Sequence, residues 1–149
     1  HVLRAEKGYS LVGQDTDGTV APFDLGMDWI VASTKPDFLG KRGLQQSGFQ
    51  AEGRKQLVGL LTEDPTEILE EGSKIVAGGE RKPPPVPMIG HVTSSYHSPS
   101  LRRSIALALV RGGHGMHGRT VHVPLSERTV AAKVVPPVFF DPEGTRLHG

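Results

Sequence analysis

The segment Leu3–Trp29 reads LRAEKGYSLVGQDTDGTVAPFDLGMDW, and the rest of the chain is organised around it. Residues 1–7 predict the end of a helix, because Gly8 supplies the left-handed residue that commonly follows one. The β-prone stretch Tyr9–Val12 predicts a short strand. Asp15–Gly18 predicts a turn, since Asp side chains bond to nearby backbone and Gly adopts positive φ.

The next stretch indicates further short elements. Pro22–Gly26 has a proline suited to the first turn of a helix and a glycine suited to its end. The apolar run Trp29–Ala32 predicts a strand. Asp37 is a good N-cap for a helix over Phe38–Gln46, with its apolar side chains towards a core. We place a domain boundary in the loop Gly48–Gly53.

From Arg54 onward the pattern is typical of β structure. The apolar run Leu57–Thr62 predicts a strand buried on both faces. Arg81–Pro87 reads RKPPPVP and predicts a loop or edge, because proline cannot donate to a central sheet ladder. About six short strands joined by turns favour a barrel or sandwich. They are Leu57–Thr62, Lys74–Ala77, Ile89–Ser95, Ile105–Val110, Thr120–Val123 and Val130–Val135.

The composition argues against several classes of protein. The 17 Lys and Arg residues are scattered among 16 Asp and Glu residues, so no basic face for nucleic acid is indicated. Aromatic residues make up 5% of the chain, which leaves few rings for base stacking. No apolar run is long enough to span a bilayer. The absence of cysteine fits a cytoplasmic protein, and His1 in place of methionine leads us to expect a piece of a longer chain.

Two long blocks carry a family resemblance. Residues 4–29 fit the pattern R-x-E-x-G-Y-x-x-x-G-x-D-x-D-x-x-x-x-P-x-x-x-G-x-x-W, and residues 90–108 fit G-x-V-T-S-x-x-x-S-P-x-L-x-x-x-I-A-L-A. On these blocks the chain resembles the glycine-cleavage T-protein (aminomethyltransferase) family. Members of that family bind tetrahydrofolate and move a one-carbon unit onto it.

Within the family, the segments RAEKGY, VGQDTDGTVAP, GRKQLVGLLT and DPEGTRLHG resemble the C-terminus of the alpha subunit of heterotetrameric sarcosine oxidases. That resemblance implies a parent enzyme that demethylates sarcosine oxidatively to glycine. The methyl carbon would pass to tetrahydrofolate or leave as formaldehyde. FAD, FMN and NAD are then expected elsewhere in the parent enzyme. The expected partners are the remainder of the alpha subunit and the beta, gamma and delta subunits.

The same resemblance implies an α+β fold that is mainly β. Residues 1–50 would complete the folate-binding aminomethyltransferase domain, and residues 51–149 would form a roughly six-stranded antiparallel β-barrel. The family's N-terminal block with its aspartate and its Y-T-G-E block are both absent. We therefore expect no catalytic residue here, only part of a folate pocket, and no activity from the isolated chain.

Three residues are candidates for folate contact. The guanidinium of Arg4 offers a planar fork of donors suited to a carboxylate or a pterin edge, and the matching arginine of the family lies at the folate pocket. Alternatively, Arg4 pairs with Glu6 or Asp15 at a domain seam. Glu6 orients Arg4, or more simply faces water. Tyr9 lines a pocket wall with its ring or packs in the core.

Other motifs favour structural roles. The serine-rich block Thr93–Ser100 has no histidine–acid partner at triad spacing, so its hydroxyls are expected to bond to the backbone; Tyr96 and His97 would border the pocket mouth. His114 and His117 lack a third metal ligand and predict a loop. Phe139–Pro142 stands where many family members have paired tyrosines, which leaves a ligand role for the tail open.

Two other functions remain open. The chain could be the C-terminus of a stand-alone aminomethyltransferase or of a dimethylglycine-oxidase-like enzyme. It could also be a non-catalytic barrel that docks onto neighbouring subunits.

Overall fold

The computed structural model describes residues 1–79 and 85–146, in which a loop-rich N-terminal segment lies against one antiparallel sheet. The helices are short: α1 Val2–Glu6, α2 Lys41–Leu44 and α3 Ser47–Gln50, with 3₁₀ turns at Pro22–Leu25, Asp28–Ile30 and Gly113–Met116. The strands are β1 Lys55–Thr62, β2 Lys74–Ile75, β3 Gly90–Ser98, β4 Arg103–Arg111, β5 Thr120–Pro124 and β6 Thr129–Val135.

The sheet has the strand order β2-β3-β4-β1-β6-β5, and every pairing is antiparallel. Its two ends meet through one residue pair. Val76, which follows β2, donates from its N–H to the carbonyl of His122 in β5 at 2.9 Å and accepts in return at 3.0 Å. This pair covers part of two edges that would otherwise be open to other chains.

Two apolar clusters lie on opposite faces of the sheet. Along β1, Val58 and Leu60 belong to one cluster and Leu57 to the other, as the two-residue period of a strand requires. Leu57 is covered by the N-terminal segment, which contributes Ala5 and Leu25 to its cluster. The central strands are therefore buried on both faces, and the confirmed fold class is α+β, mainly β.

Arg54, at the entry to β1, holds the N-terminal segment to the sheet. Its Nε donates to Asp24 Oδ1 at 3.0 Å, and its Nη1 donates to the carbonyl of Gly48 at 2.7 Å. The hydrogen bonds to Asp24 raise the pKa of Arg54 further above its ordinary value. The guanidinium also lies 5.1 Å from the ring centroid of Phe49.

All six predicted strands are present, although β2 is only two residues long. The predicted ends of the first two helices are also present, with Gly8 at φ 68° and Gly26 at φ 69°. Of the proline-rich stretch Arg81–Pro87, residues 81–84 lie outside the described residues. Residues 85–87 are not in a strand.

Three predicted elements are wrong. Tyr9–Val12 is not a strand: in the described part of the chain it forms only an isolated bridge from Val12 to Thr16, and Asp15 accepts the N–H of Leu11. Trp29–Ala32 begins in a 3₁₀ turn, and Trp29 is 80% exposed. The predicted helix Phe38–Gln46 is reduced to α2, because Gly40 adopts φ 93° at its start. In these places the residues favoured a strand or helix locally, but the rest of the fold did not stabilise it.

Candidate functional site

The three predicted folate contacts, Arg4, Glu6 and Tyr9, line one cleft of about 460 Å³. Helix α1 and the turn after it form one wall, and the C-terminal tail forms the other. The lining residues are Leu3, Arg4, Glu6, Lys7, Tyr9, Ser100, Phe140, Asp141 and Arg146. Sequence reasoning thus identified one wall of a shared cleft.

Arg4 is the central cation of the cleft. Its side chain is 15% exposed, and Nη1 donates to Asp15 Oδ2 at 2.7 Å and to the carbonyl of Tyr9 at 3.2 Å. The guanidinium carbon lies 5.9 Å from the ring centroid of Tyr96. Its Nε and Nη2 are buried and have no acceptor in the described part of the chain. Two donors of Arg4 therefore remain for an acceptor that the described residues do not supply.

Asp15 is the fully buried counter-ion of Arg4. Its Oδ2 also accepts the N–H of Leu11 at 2.7 Å, while Oδ1 is buried without a hydrogen-bond donor among residues 1–79 and 85–146. The alternative pairing of Arg4 with Asp15 is thus present, and it uses only the Nη1 nitrogen of the guanidinium. Asp15, in the acidic turn, therefore positions Arg4 and accepts the backbone N–H of Leu11.

Glu6 does not face water, so the simpler expectation for it is wrong. It is 3% exposed, and its carboxylate accepts a hydrogen bond from the Ser98 hydroxyl. Ser98 also accepts the N–H of Leu101 at 3.1 Å. A serine of the Thr93–Ser100 block therefore anchors α1 to the end of β3. Nothing in the local sequence indicated this contact between residues 92 positions apart.

Tyr9 lies at the rim of the cleft and is 59% exposed, so it is not a core tyrosine. It also borders a second, mainly apolar cleft of about 360 Å³ with Leu25, Met27 and Trp29. Tyr96 is not among the residues that line the cleft, and its ring lies next to the Arg4 guanidinium. His97 is exposed and does not line the cleft.

Sequence reasoning missed the C-terminal wall. The N–H groups of Phe139 and Phe140 both donate to the carbonyl of Glu6 at 2.9 Å, and Lys7 Nζ donates to the carbonyl of Asp141 at 2.6 Å. The Asp-Pro-Glu-Gly stretch was the available signal, because it is a turn sequence that can reverse the chain. The tail departs from the family's tyrosines and still lines the cleft.

The histidine pair lies elsewhere. The rings of His114 and His117 are 6.4 Å apart between centroids, and burial together with the neighbouring His117 lowers the pKa of His114. Among residues 1–79 and 85–146, no group of three His, Cys, Asp or Glu side chains is arranged to hold a metal ion. No helix in that part of the chain is long and apolar enough to cross a membrane.

Comparison with protein families gives one matching domain. The model for the glycine cleavage T-protein C-terminal barrel domain matches residues 55–141. This span runs from the start of β1 to Asp141 in the cleft wall.

Comparison with individual proteins gives relatives of two kinds. The sarcosine oxidase subunit alpha of Corynebacterium sp. (strain P-1) is 47% identical over 100% of this chain, and that of Rhizobium meliloti (strain 1021) is 44% identical over 99%. The aminomethyltransferase of Cupriavidus pinatubonensis is 38% identical over 89% of the chain. The chain spans 15% of the length of both sarcosine oxidase subunits and 32% of that of the aminomethyltransferase.

A solved structure supports the fold. The crystal structure of the glycine cleavage system aminomethyltransferase T from Bartonella henselae superposes with a TM-score of 0.77 at 24% identity. The match covers 95% of this chain and 38% of that one.

Proposed function

The chain belongs to the glycine cleavage T-protein family through its C-terminal barrel domain, and on that premise we propose that it is the C-terminal, folate-binding region of a sarcosine oxidase alpha subunit. Its relatives in that subunit match it over its whole length and with higher identity than the aminomethyltransferases do. The parent reaction is then the oxidative demethylation of sarcosine to glycine.

One observation carries the proposal of a folate site: Arg4 has two buried donors without an acceptor among residues 1–79 and 85–146. An unmet buried donor is costly, by about 1–3 kcal/mol. A ligand that presents an acceptor to Nε or Nη2 removes that cost. The heteroatom edge of a pterin offers such acceptors in a plane, which suits a guanidinium fork.

The other lining residues fit the rest of such a ligand. Tyr9 and Phe140 offer aromatic surface for a flat ring, and Leu3 adds apolar surface. The Glu6 carboxylate accepts a hydrogen bond from Ser98. Glu6 therefore holds α1 in place and does not contact the ligand directly. Asp15 orients Arg4 through their ion pair.

In this assignment the chain's residues bind and orient, and none of them exchanges a proton or forms a bond with substrate. Bound tetrahydrofolate supplies an acceptor for the one-carbon unit, which otherwise leaves as formaldehyde. FAD, FMN and NAD are assigned to other parts of the parent enzyme. Residues 1–50 belong to the folate-binding domain and residues 51–149 to the barrel domain, in a cytoplasmic enzyme.

Exposed apolar side chains support the proposed partners. Val12 is 88% exposed, Trp29 is 80% exposed and Leu39 is fully exposed. Large apolar side chains exposed to this degree are a feature of surfaces that contact other protein. We assign this surface to the remainder of the alpha subunit, and the beta, gamma and delta subunits complete the assembly. The same exposure is the observation in favour of the alternative, a barrel that only docks.

The test is a titration of the full-length protein containing this chain with tetrahydrofolate. Arg4→Ala is expected to weaken binding by about 1.5–3 kcal/mol, the scale of a charge-assisted hydrogen bond. Arg4→Lys should recover only part of the loss, because a point charge does not replace a planar fork. Sarcosine oxidation should continue, with more of the carbon released as formaldehyde.

Removing Arg4 also leaves the Asp15 carboxylate buried and unpaired, so the design needs a control for folding. The double variant Arg4→Ala/Asp15→Ala removes both charges and should regain thermal stability without regaining affinity. Equal affinities of the wild type and Arg4→Ala would reduce Arg4 to a seam residue and remove the support for a folate site.

A further inference from the structure

The C-terminal tail forms a fixed wall of the Arg4 cleft. Its first residues are bonded to the end of α1 through the carbonyl of Glu6, and Lys7 Nζ contacts both the carbonyl and, at 3.4 Å, the carboxylate of Asp141. Asp141 itself adopts φ 46°, which reverses the chain at this point. The residues after it are thereby directed back to the cleft.

The carboxylate of Asp141 is saturated by this turn. Its Oδ1 accepts from the N–H and the hydroxyl of Thr145, both at 2.9 Å, and its Oδ2 accepts from the N–H of Arg146 at 3.3 Å. Asp141 therefore has little capacity left to pair with the guanidinium of Arg146. Glu6, the other acid of the cleft, is buried against Ser98.

Arg146 is consequently a cation without an acidic partner in the described part of the chain. Its guanidinium carbon lies 5.1 Å from the ring centroid of Phe140, and the residue is exposed. Stacking on a ring leaves the donors in the guanidinium plane free. The cleft thus holds two arginines with different environments: Arg4 is partly buried and paired with Asp15, whereas Arg146 is open to solvent.

We propose that Arg146 is a specificity-determining residue of this cleft, which selects aromatic ligands that carry a carboxylate tail. Arg4 contacts the ring system and Arg146 pairs with the carboxylate. The inference rests on the proposed folate site and adds to it the residue that recognises the anionic end of the ligand.

The experiment compares two ligands on the full-length protein that contains this chain. Tetrahydrofolate carries a glutamate tail, and tetrahydropteroate has the same ring system without it. The wild type should prefer tetrahydrofolate. Arg146→Ala should lower affinity for tetrahydrofolate roughly three- to tenfold, between the effects of an exposed ion pair and a charge-assisted hydrogen bond. Its affinity for tetrahydropteroate should not change.

Two further variants sharpen the comparison. Arg146→Lys should retain part of the preference, because it keeps the charge. Arg128→Ala is the matched control, since Arg128 is an exposed arginine that pairs with Glu67 outside the cleft and should leave both affinities unchanged.

Equal affinity of the wild type for both ligands would overturn the role of Arg146 while leaving the folate site intact. An equal loss for both ligands in Arg146→Ala would also overturn it. The effect would then come from a change in the cleft wall and not from a lost contact between Arg146 and the ligand's carboxylate. Failure of the wild type to bind either ligand would reject the folate site itself.

Discussion

The pairing of Arg4 with Asp15 is structural, and on the proposed function the same arginine also binds a ligand. Burying an ion pair carries a desolvation cost that only good geometry and further hydrogen bonds offset. Here Asp15 Oδ2 takes two donors, whereas two nitrogens of Arg4 are left over. On the proposed function, a bound ligand supplies the acceptor that these two nitrogens lack in the described part of the chain.

The pKa of Asp141 leads to a prediction about how the free energy of unfolding depends on pH. Desolvation opposes its ionisation, but hydrogen bonds from Thr145, Arg146 and Lys7 outweigh it and lower the pKa below the ordinary 3.8. A lowered folded-state pKa contributes stability above the unfolded value, which is lost as pH falls through the folded value.

Asp141→Asn should therefore reduce the free energy of unfolding at pH 7, and its difference from the wild type should shrink as pH falls below 3.8. Urea unfolding at a series of pH values between neutral and strongly acidic measures this. Asp37→Asn, in an exposed loop remote from the tail, is the control. A difference that stays constant with pH would show that the carboxylate charge is not what holds the tail.

At the scale of elements, two glycines make room for the C-terminal tail. A Cβ on Gly8 would lie 2.7 Å from the carbonyl oxygen of Pro137, and one on Gly59 would lie 2.6 Å from Phe139 Cζ. Gly59 is in β1, so the tail packs directly on the central strand there. The cleft wall depends on this close approach.

Gly59→Ala should displace the tail and lower the free energy of unfolding by about 1–3 kcal/mol, the usual cost of overpacking. Because the tail carries Phe140 and Arg146, ligand affinity should fall as well. Urea unfolding and ligand titration measure the two effects. Gly18→Ala, where no heavy atom lies within 4 Å, should change neither. Wild-type stability in Gly59→Ala would mean that the tail is readily displaced.

At the scale of the whole molecule, the proposed function gives the chain one side of a site. It spans 15% of the sarcosine oxidase subunits that it resembles, and its N-terminal segment exposes large apolar side chains. On the proposed function, the acid and the remaining pterin contacts come from other parts of the parent enzyme.

The 149-residue chain alone should therefore neither oxidise sarcosine nor transfer an aminomethyl group, because the family's catalytic aspartate block is not in it and the proposal assigns the redox cofactors to other parts of the parent enzyme. Assays of hydrogen peroxide, formaldehyde and glycine formation with purified chain check this. Product above the rate of a buffer control would contradict the division of roles proposed here.

Local sequence determined where the strands lie. Runs such as Leu57–Thr62 and Ile105–Val110 are apolar enough to be buried on both faces, and their flanking turns limit their length. Helix ends at Gly8 and Gly26 were equally predictable, because positive φ is a local property of glycine. The first family block likewise singled out Arg4, Glu6 and Tyr9, which line one cleft.

Tertiary structure alone decided which distant groups meet. Glu6 lies against Ser98, and the tail returns to Lys7 across 134 positions of sequence, because the N-terminal segment and the tail both pack on the sheet. The strands expected at Tyr9–Val12 and Trp29–Ala32 are absent for the same reason: a strand needs a partner edge. Propensity is local, but an edge, a cleft wall and a buried carboxylate's partner are supplied by residues far away in the chain.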